Sequence, residues 1–185
     1  MAEIKYLLQN YRKFVHLSWL SNIPGCQRVW FAVYPPSLER NLRAQIKEFE
    51  CATADSKHKW KIIDITKETA NFISKHKYRE SYFNVPDAAD SLNEDLKNDI
   101  IEIIKKELLS NEVDDNTVVA VIGTSSLFGF VHISSIIPAI DTYIKGRLLV
   151  FFPGIYDKNQ YRFMDARDGF NYMAVPITCE EEMFI

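Results

Sequence analysis

Little in the 185-residue chain is extreme, and each thing it lacks removes a class of function. No apolar run approaches the roughly 20 residues needed to cross a bilayer as a helix. The three cysteines, Cys26, Cys51 and Cys179, are odd in number and far apart, which is no disulfide framework and fits a reducing compartment. Neither sign of charge dominates: 22 Lys and Arg stand against 25 Asp and Glu, a net of −3, so a dedicated nucleic-acid binder is disfavoured. The opening MAEIKYLLQNYRKF has an early acid and no small-residue cleavage site after an apolar core. No signal peptide is read there, and a cytoplasmic location is expected.

The chain is also short of catalytic spacing. A P-loop needs glycine, four residues, then Gly-Lys-Ser/Thr, so that backbone amides wrap phosphates which lysine neutralises. Here Gly123 and Gly129 are one residue too far apart, and Phe130 stands in place of the lysine. Gly123–Thr124–Ser125–Ser126–Leu127 has the first glycine of a nucleophile elbow and lacks the second. His16, His58, His76 and His132 are scattered, with no pair at ligand spacing, so no metal is expected. Asp165–Asp168 lacks the alternating oxygens of a calcium loop, and Asp168–Gly169 reads as a turn. No catalytic residue and no cofactor are assigned.

What is present is strand and helix in alternation, centred on Thr117–Gly154. Val118–Ile122 is uncharged and β-branched, as suits a strand buried on both faces. Ile133, Ile136, Ile137, Ile140 and Ile144 then recur at helical steps, and Leu148–Phe152 is a second apolar run. Two such runs joined by a helix make a parallel crossover, which is almost always right-handed. Upstream, a helix over 3–19 precedes strand Arg28–Tyr34, a helix capped by Ser37, strand Trp60–Ile65, a shorter helix capped by Thr66, and a long helix over Ala88–Leu109. Downstream, Tyr161–Ala166 and Phe170–Ile177 flank Asp168–Gly169 as a hairpin.

The pattern predicts an α/β fold: a single-domain three-layer sheet, mostly parallel, with a C-terminal β-hairpin. The domain is expected to span 1–185, with its body over 27–177 and a short acidic tail over 178–185 that frays.

Three surfaces are candidates for function. Loops beyond the carboxyl ends of parallel strands form the usual ligand crevice. Here they supply Gly123, Thr124, Ser125, Ser126 and His132, with Pro153–Tyr156 opposite, for a nucleotide or small ligand. Arg40, Arg43 and Lys47 line one side of a helix and suit a phosphate backbone, although Glu39, Glu48 and Glu50 dilute them. Aromatic and arginine residues in loops suit a protein interface, and Arg79, Tyr82, Phe128, Tyr156 and Arg162 are the contact candidates. Self-association is left open.

Several strings together carry a resemblance: QRVWFAVY (Gln27–Tyr34), YRESYF (Tyr78–Phe83), DDNTVV (Asp114–Val119), SLFGF (Ser126–Phe130), KGRLLVFFPG (Lys145–Gly154) and YRFMDARDGFNYMAVPI (Tyr161–Ile177). They resemble the BrxB family, the small component of bacterial BREX phage-defence systems, over nearly the whole chain. The resemblance implies a cytoplasmic antiviral role beside a DNA methyltransferase, a large ATPase and a PglZ-like protein of the alkaline-phosphatase superfamily. It implies a non-catalytic adaptor whose direct partner is the PglZ-like protein, with DNA reached only through the complex and no membrane contact. It supplies no catalytic residues.

Overall fold

The computed structural model describes residues 2–20, 22–77, 79–80, 92–164 and 172–180. In chain order these form α1 (Ala2–His16), β1 (Val29–Tyr34), α2 (Glu39–Asp55), β2 (Lys59–Asp64), α3 (Glu68–Lys75) and α4 (Asn93–Leu108). There follow β3 (Thr117–Ile122), α5 (Ile133–Ile140), β4 (Arg147–Asp157), β5 (Gln160–Phe163) and β6 (Val175–Ile177). The strands make one six-stranded sheet in the order β2-β3-β4-β1-β6, with β5 added to the far end of β4. All pairings along that order are parallel, and β4–β5 is antiparallel.

The unbroken apolar strands are explained by two cores, one on each face. Residues of β1 and β3 are buried throughout. Their side chains alternate: Val29, Phe31, Val33, Val119 and Val121 enter one core, while Trp30, Ala32, Tyr34, Val118 and Ala120 enter the other. The first core is closed by the stripes of α4 (Leu96, Ile100, Ile104, Leu108) and α5 (Ile133, Ile136, Ile137, Ile140). The second is closed by α1 (Ile4, Leu7, Leu8, Tyr11) and α2 (Leu42, Phe49, Ala52). Each buried Leu, Ile or Val contributes about 1.5–3 kcal/mol of transfer free energy, so the helical periodicity fixes which way each helix faces. The expected three-layer α/β sheet is what forms, and β3–α5–β4 is the expected parallel crossover.

Several local expectations need correction. The isoleucine stripe predicts one helix running to Ile144, yet α5 stops at Ile140 and Asp141–Tyr143 tightens into a 3-10 turn. Pro138 lies inside α5 and has no N–H for the preceding turn, which favours an early stop. Ile144 stays buried all the same. Thr66 does not cap α3. Its N–H and hydroxyl both donate to the Asp64 carboxylate, and its Oγ1 accepts from Arg43 Nη2 at 2.7 Å. Lys67 stands at the N-cap position instead. Ser37 lies in a 3-10 turn, Pro36–Leu38, and α2 starts after Leu38 without a side-chain cap.

A C-terminal hairpin is present, one strand earlier than the sequence suggested. It joins β4 to β5 through Lys158 and Asn159, whose φ angles of 48° and 63° give the left-handed pair that a two-residue hairpin turn requires. Tyr161–Phe163 therefore pairs with β4, and Val175–Ile177 pairs in parallel with β1. The Asp168–Gly169 turn lies outside the described residues, as do Tyr82 and the first part of the helix expected from Ala88. Thr178–Glu180, the start of the expected fraying tail, is held by Asn10, whose Nδ2 donates to the carbonyls of Thr178 and Glu180 at 3.0 and 2.9 Å.

Candidate functional site

The loop after β3 is filled by its own chemistry. Gly123 has φ 84°, and a Cβ there would collide with the hydroxyl and backbone of Thr66. Thr124 is buried and donates its hydroxyl to Phe151 O at 2.7 Å. The Ser126 hydroxyl lies 3.1 Å from Ile65 O and 2.8 Å from Gly123 O, while Ser126 O accepts from Thr69 Oγ1 at 3.0 Å. Leu127 is buried in the core. Ser125 is half-buried, and His132 is exposed at the start of α5 with its carbonyl accepting from Ser135 Oγ at 2.7 Å. The five crevice candidates thus lie along one stretch in which the Thr124 and Ser126 hydroxyls already have partners within the chain.

Beside that loop, one polar network ties α2 to the ends of β1 and β2. The Tyr34 hydroxyl donates to Glu39, Arg43 Nε donates to Glu39 Oε1 at 2.8 Å, and Arg43 Nη1 lies 3.7 Å from Asp64 Oδ2. Burial raises the Tyr34 phenol far above its ordinary range, and the Glu39 carboxylate adds to this. At Asp64, partial burial works against ionisation, but hydrogen bonds from Thr66 and the charges of Arg43 and Lys67 outweigh it and lower the carboxyl pKa. Lys47 pairs with Glu50 at 2.9 Å. Of the basic helix face, Arg43 and Lys47 are therefore matched by carboxylates.

The open surface lies at the carboxyl ends of β4, β1 and β6. A cleft of about 220 Å³ is lined there by Tyr34, Pro35, Gly154, Ile155, Cys179 and Glu180, among others. Burial, with help from Glu3 and Glu180, pushes the Cys179 thiol up to about 12, so it is no nucleophile at neutral pH. A second concavity of about 290 Å³ runs along the hairpin beside Ile155, Asp157, Lys158, Gln160 and Arg162. Ile155 lines both and is 53% exposed, with Arg162 as its cross-strand partner. The Arg162 side chain is exposed and makes no ion pair or hydrogen bond among the described residues.

Three of the five interface candidates gather around this hairpin. Phe128, 43% exposed, leans on Phe163 with ring centroids 6.0 Å apart. Tyr156 is half-buried against Tyr161 and donates to Asn159 Oδ1 at 3.0 Å. Arg162 faces outward beside Ile155. Arg79 belongs to another element, donating to Ser74 O at 3.1 Å after α3, and Tyr82 lies outside the described residues. Sequence reasoning missed Ile155. The available signal was the two-residue span Lys158–Asn159, which continues β4 past Pro153 and sends alternate residues outward.

Among the described residues, no group of three or more His, Cys, Asp and Glu is placed to hold a metal, and no helix is long and apolar enough to cross a membrane. No curated protein and no solved structure matches the chain. A family model does, that of "BREX protein BrxB", over residues 44–177. The matched stretch runs from within α2 to the last residue of β6 and takes in both the closed loop after β3 and the open hairpin, and the chain belongs to the BrxB family.

Proposed function

We propose that this chain is a non-catalytic adaptor of a bacterial BREX phage-defence system, working in the cytoplasm as one α/β domain. It binds another protein of the system, the PglZ-like member of the alkaline-phosphatase superfamily, and meets DNA only through that complex. The contact is made by the outer face of the β4–β5 hairpin, with Ile155 at its centre and Arg162, Phe128 and Tyr156 around it.

The observation that carries this reading is the setting of Ile155. A large aliphatic side chain stands half in water between two concavities, beside an arginine whose side chain pairs with no carboxylate among the described residues. Burying such a side chain in a partner gains about 1.5–3 kcal/mol, and arginine is enriched at interfaces of this kind. The closed loop after β3 supports the reading from the other side, because its Thr124 and Ser126 hydroxyls are already engaged.

Capture of this chain by a tagged PglZ-like protein tests it. Wild type is expected to be retained at low and moderate salt, and Ile155→Asp to lose at least about tenfold in affinity, since it places a charge in a desolvated contact. Its urea midpoint is expected to stay where it was. Equal retention of wild type and an Ile155→Asp, Arg162→Glu double variant would remove the hairpin from the interface, and absence of any capture would remove the adaptor reading.

A further inference from the structure

The sheet has a second surface of interest, at its opposite side. β2 is the outermost strand, and no described residue pairs with its free edge. Lys59 N–H donates to Asn116 O at 2.9 Å and Ile65 N–H to Ile122 O at 3.0 Å. Backbone groups alternate sides along a strand, so Lys59, Lys61, Ile63 and Ile65 address β3, while Trp60, Ile62 and Asp64 turn theirs outward. Exposed edges of this kind are commonly blunted by lysines. Here the lysines are drawn away: Lys59 Nζ lies 2.5 Å from Asp114, and Lys61 Nζ lies 3.3 Å from Glu107 and 2.5 Å from Glu112. Ile62, at the middle of the outward set, is 41% exposed.

We propose that this edge binds a second copy of the same chain, strand to strand and antiparallel, about a two-fold axis at Ile62. The argument for a copy rather than a foreign strand is self-complementarity. With Ile62 opposite Ile62, outward Trp60 meets Asp64, Lys61 meets Ile63 and Lys59 meets Ile65, so no like charges face each other. Only registers that oppose outward residues with outward residues form the ladder. Moving the axis to residue 61 places Lys61 opposite Lys61, and moving it to residue 63 leaves just Ile62–Asp64 overlapped. Such an isologous contact closes on itself and does not propagate. β3 and β4 lie between this edge and the attachment of β5, so the pairing leaves the hairpin free and is independent of the adaptor reading.

The test is the oligomeric state of the full chain by sedimentation, with three variants. Wild type is expected to be a dimer at micromolar concentration. Ile62→Pro removes an N–H that bonds no described residue, on an edge strand where proline is tolerated. It is expected to keep its far-UV spectrum and raise the dimer dissociation constant roughly 30-fold or more, the equivalent of two backbone hydrogen bonds. Ile62→Lys, which sets lysine against lysine at the axis, gives the same answer should the proline variant fold poorly. A hydrogen-bonded antiparallel pair holds its Cα atoms about 5.5 Å apart, within disulfide range. Ile62→Cys, made with Cys51→Ser to remove the exposed natural thiol, is therefore expected to cross-link quantitatively on oxidation. A wild-type monomer at high micromolar concentration, or a dimer in which Ile62→Cys stays reduced, overturns the proposal. Loss of PglZ-like capture with the dimer intact would instead count against the adaptor reading alone.

Discussion

The chain that leaves β3 and the chain that leaves the parallel part of β4 start at the same end of the sheet, one strand apart. The first turns on Gly123 at once, buries Thr124 and Leu127, and bonds Ser126 to β2's end and to itself. The second continues as a strand through Gly154–Asp157 and turns back through β5, leaving Ile155 and Arg162 in solvent. A position beyond a parallel strand is thus not a site by default. What decides is whether its polar groups find partners inside the chain, and here the glycine loop is closed while the hairpin is open.

The sharpest way to break that contrast is at the glycines. Gly123→Ala places a methyl group against Thr66 and forces an L-residue to φ 84°. The left-handed backbone costs about 1–2 kcal/mol and the overpacking about as much again, so a loss near 3 kcal/mol is expected in urea unfolding. Gly129 has a similar φ of 82° but nothing within 4 Å of where its Cβ would lie. Gly129→Ala is expected to lose only the backbone part, about 1–2 kcal/mol. Equal losses at the two positions would mean that the Thr66 contact does not close the loop.

The closed half of this contrast was the harder one to read from sequence. The sheet itself is plain: Val29–Tyr34, Val118–Ile122 and Leu148–Phe152 are unbroken runs without a charge, and the four- and three-residue steps in α4 and α5 point each helix at them. That Thr66 fills the space above Gly123 depends on β2 and β3 being neighbours, which no local signal states. The hairpin was misplaced for a related reason. Asp168–Gly169 is a strong turn signal by residue preference, whereas Lys158–Asn159 holds positive φ without glycine, stabilised by the pairing of β4 with β5. Residue preference therefore points to Tyr156, whereas its neighbour Ile155 is turned outward only by the register of β4 on β5.

A smaller effect sharpens the closed side. Asp64 accepts from Thr66, which occupies the space next to Gly123, and its folded carboxyl pKa lies below the ordinary 3.8. A lowered carboxyl pKa adds stability that is complete above the unfolded value and is lost as pH falls through the folded one. Unfolding free energies from urea titrations between pH 7 and pH 2 are therefore expected to place wild type above Asp64→Asn at neutral pH, with the two curves converging below pH 3.8. The gap stays under about 1 kcal/mol, because half of the side chain is in solvent and its pairing with Arg43 is screened. A constant gap across the acid range would show that the charge of Asp64 contributes nothing to holding the loop.

The smallest effect on the fold is expected at Arg162, and that is what makes it informative. Its side chain leaves the hairpin outward, beside Ile155, and bonds no described residue, so Arg162→Glu should change the unfolding free energy by less than about 0.5 kcal/mol. In an interface the same change reverses a charge that steers association, and such rim charges act on the on-rate and its salt dependence more than on the off-rate. Wild-type association with the PglZ-like protein is then expected to slow as salt rises, while Arg162→Glu associates slowly at low salt and is nearly indifferent to added salt. Stopped-flow or biolayer measurements at two ionic strengths separate the cases. If Arg162→Glu and wild type show the same salt slope, the arginine does not face the partner, and the contact must rest on Ile155 and Phe128 without electrostatic guidance.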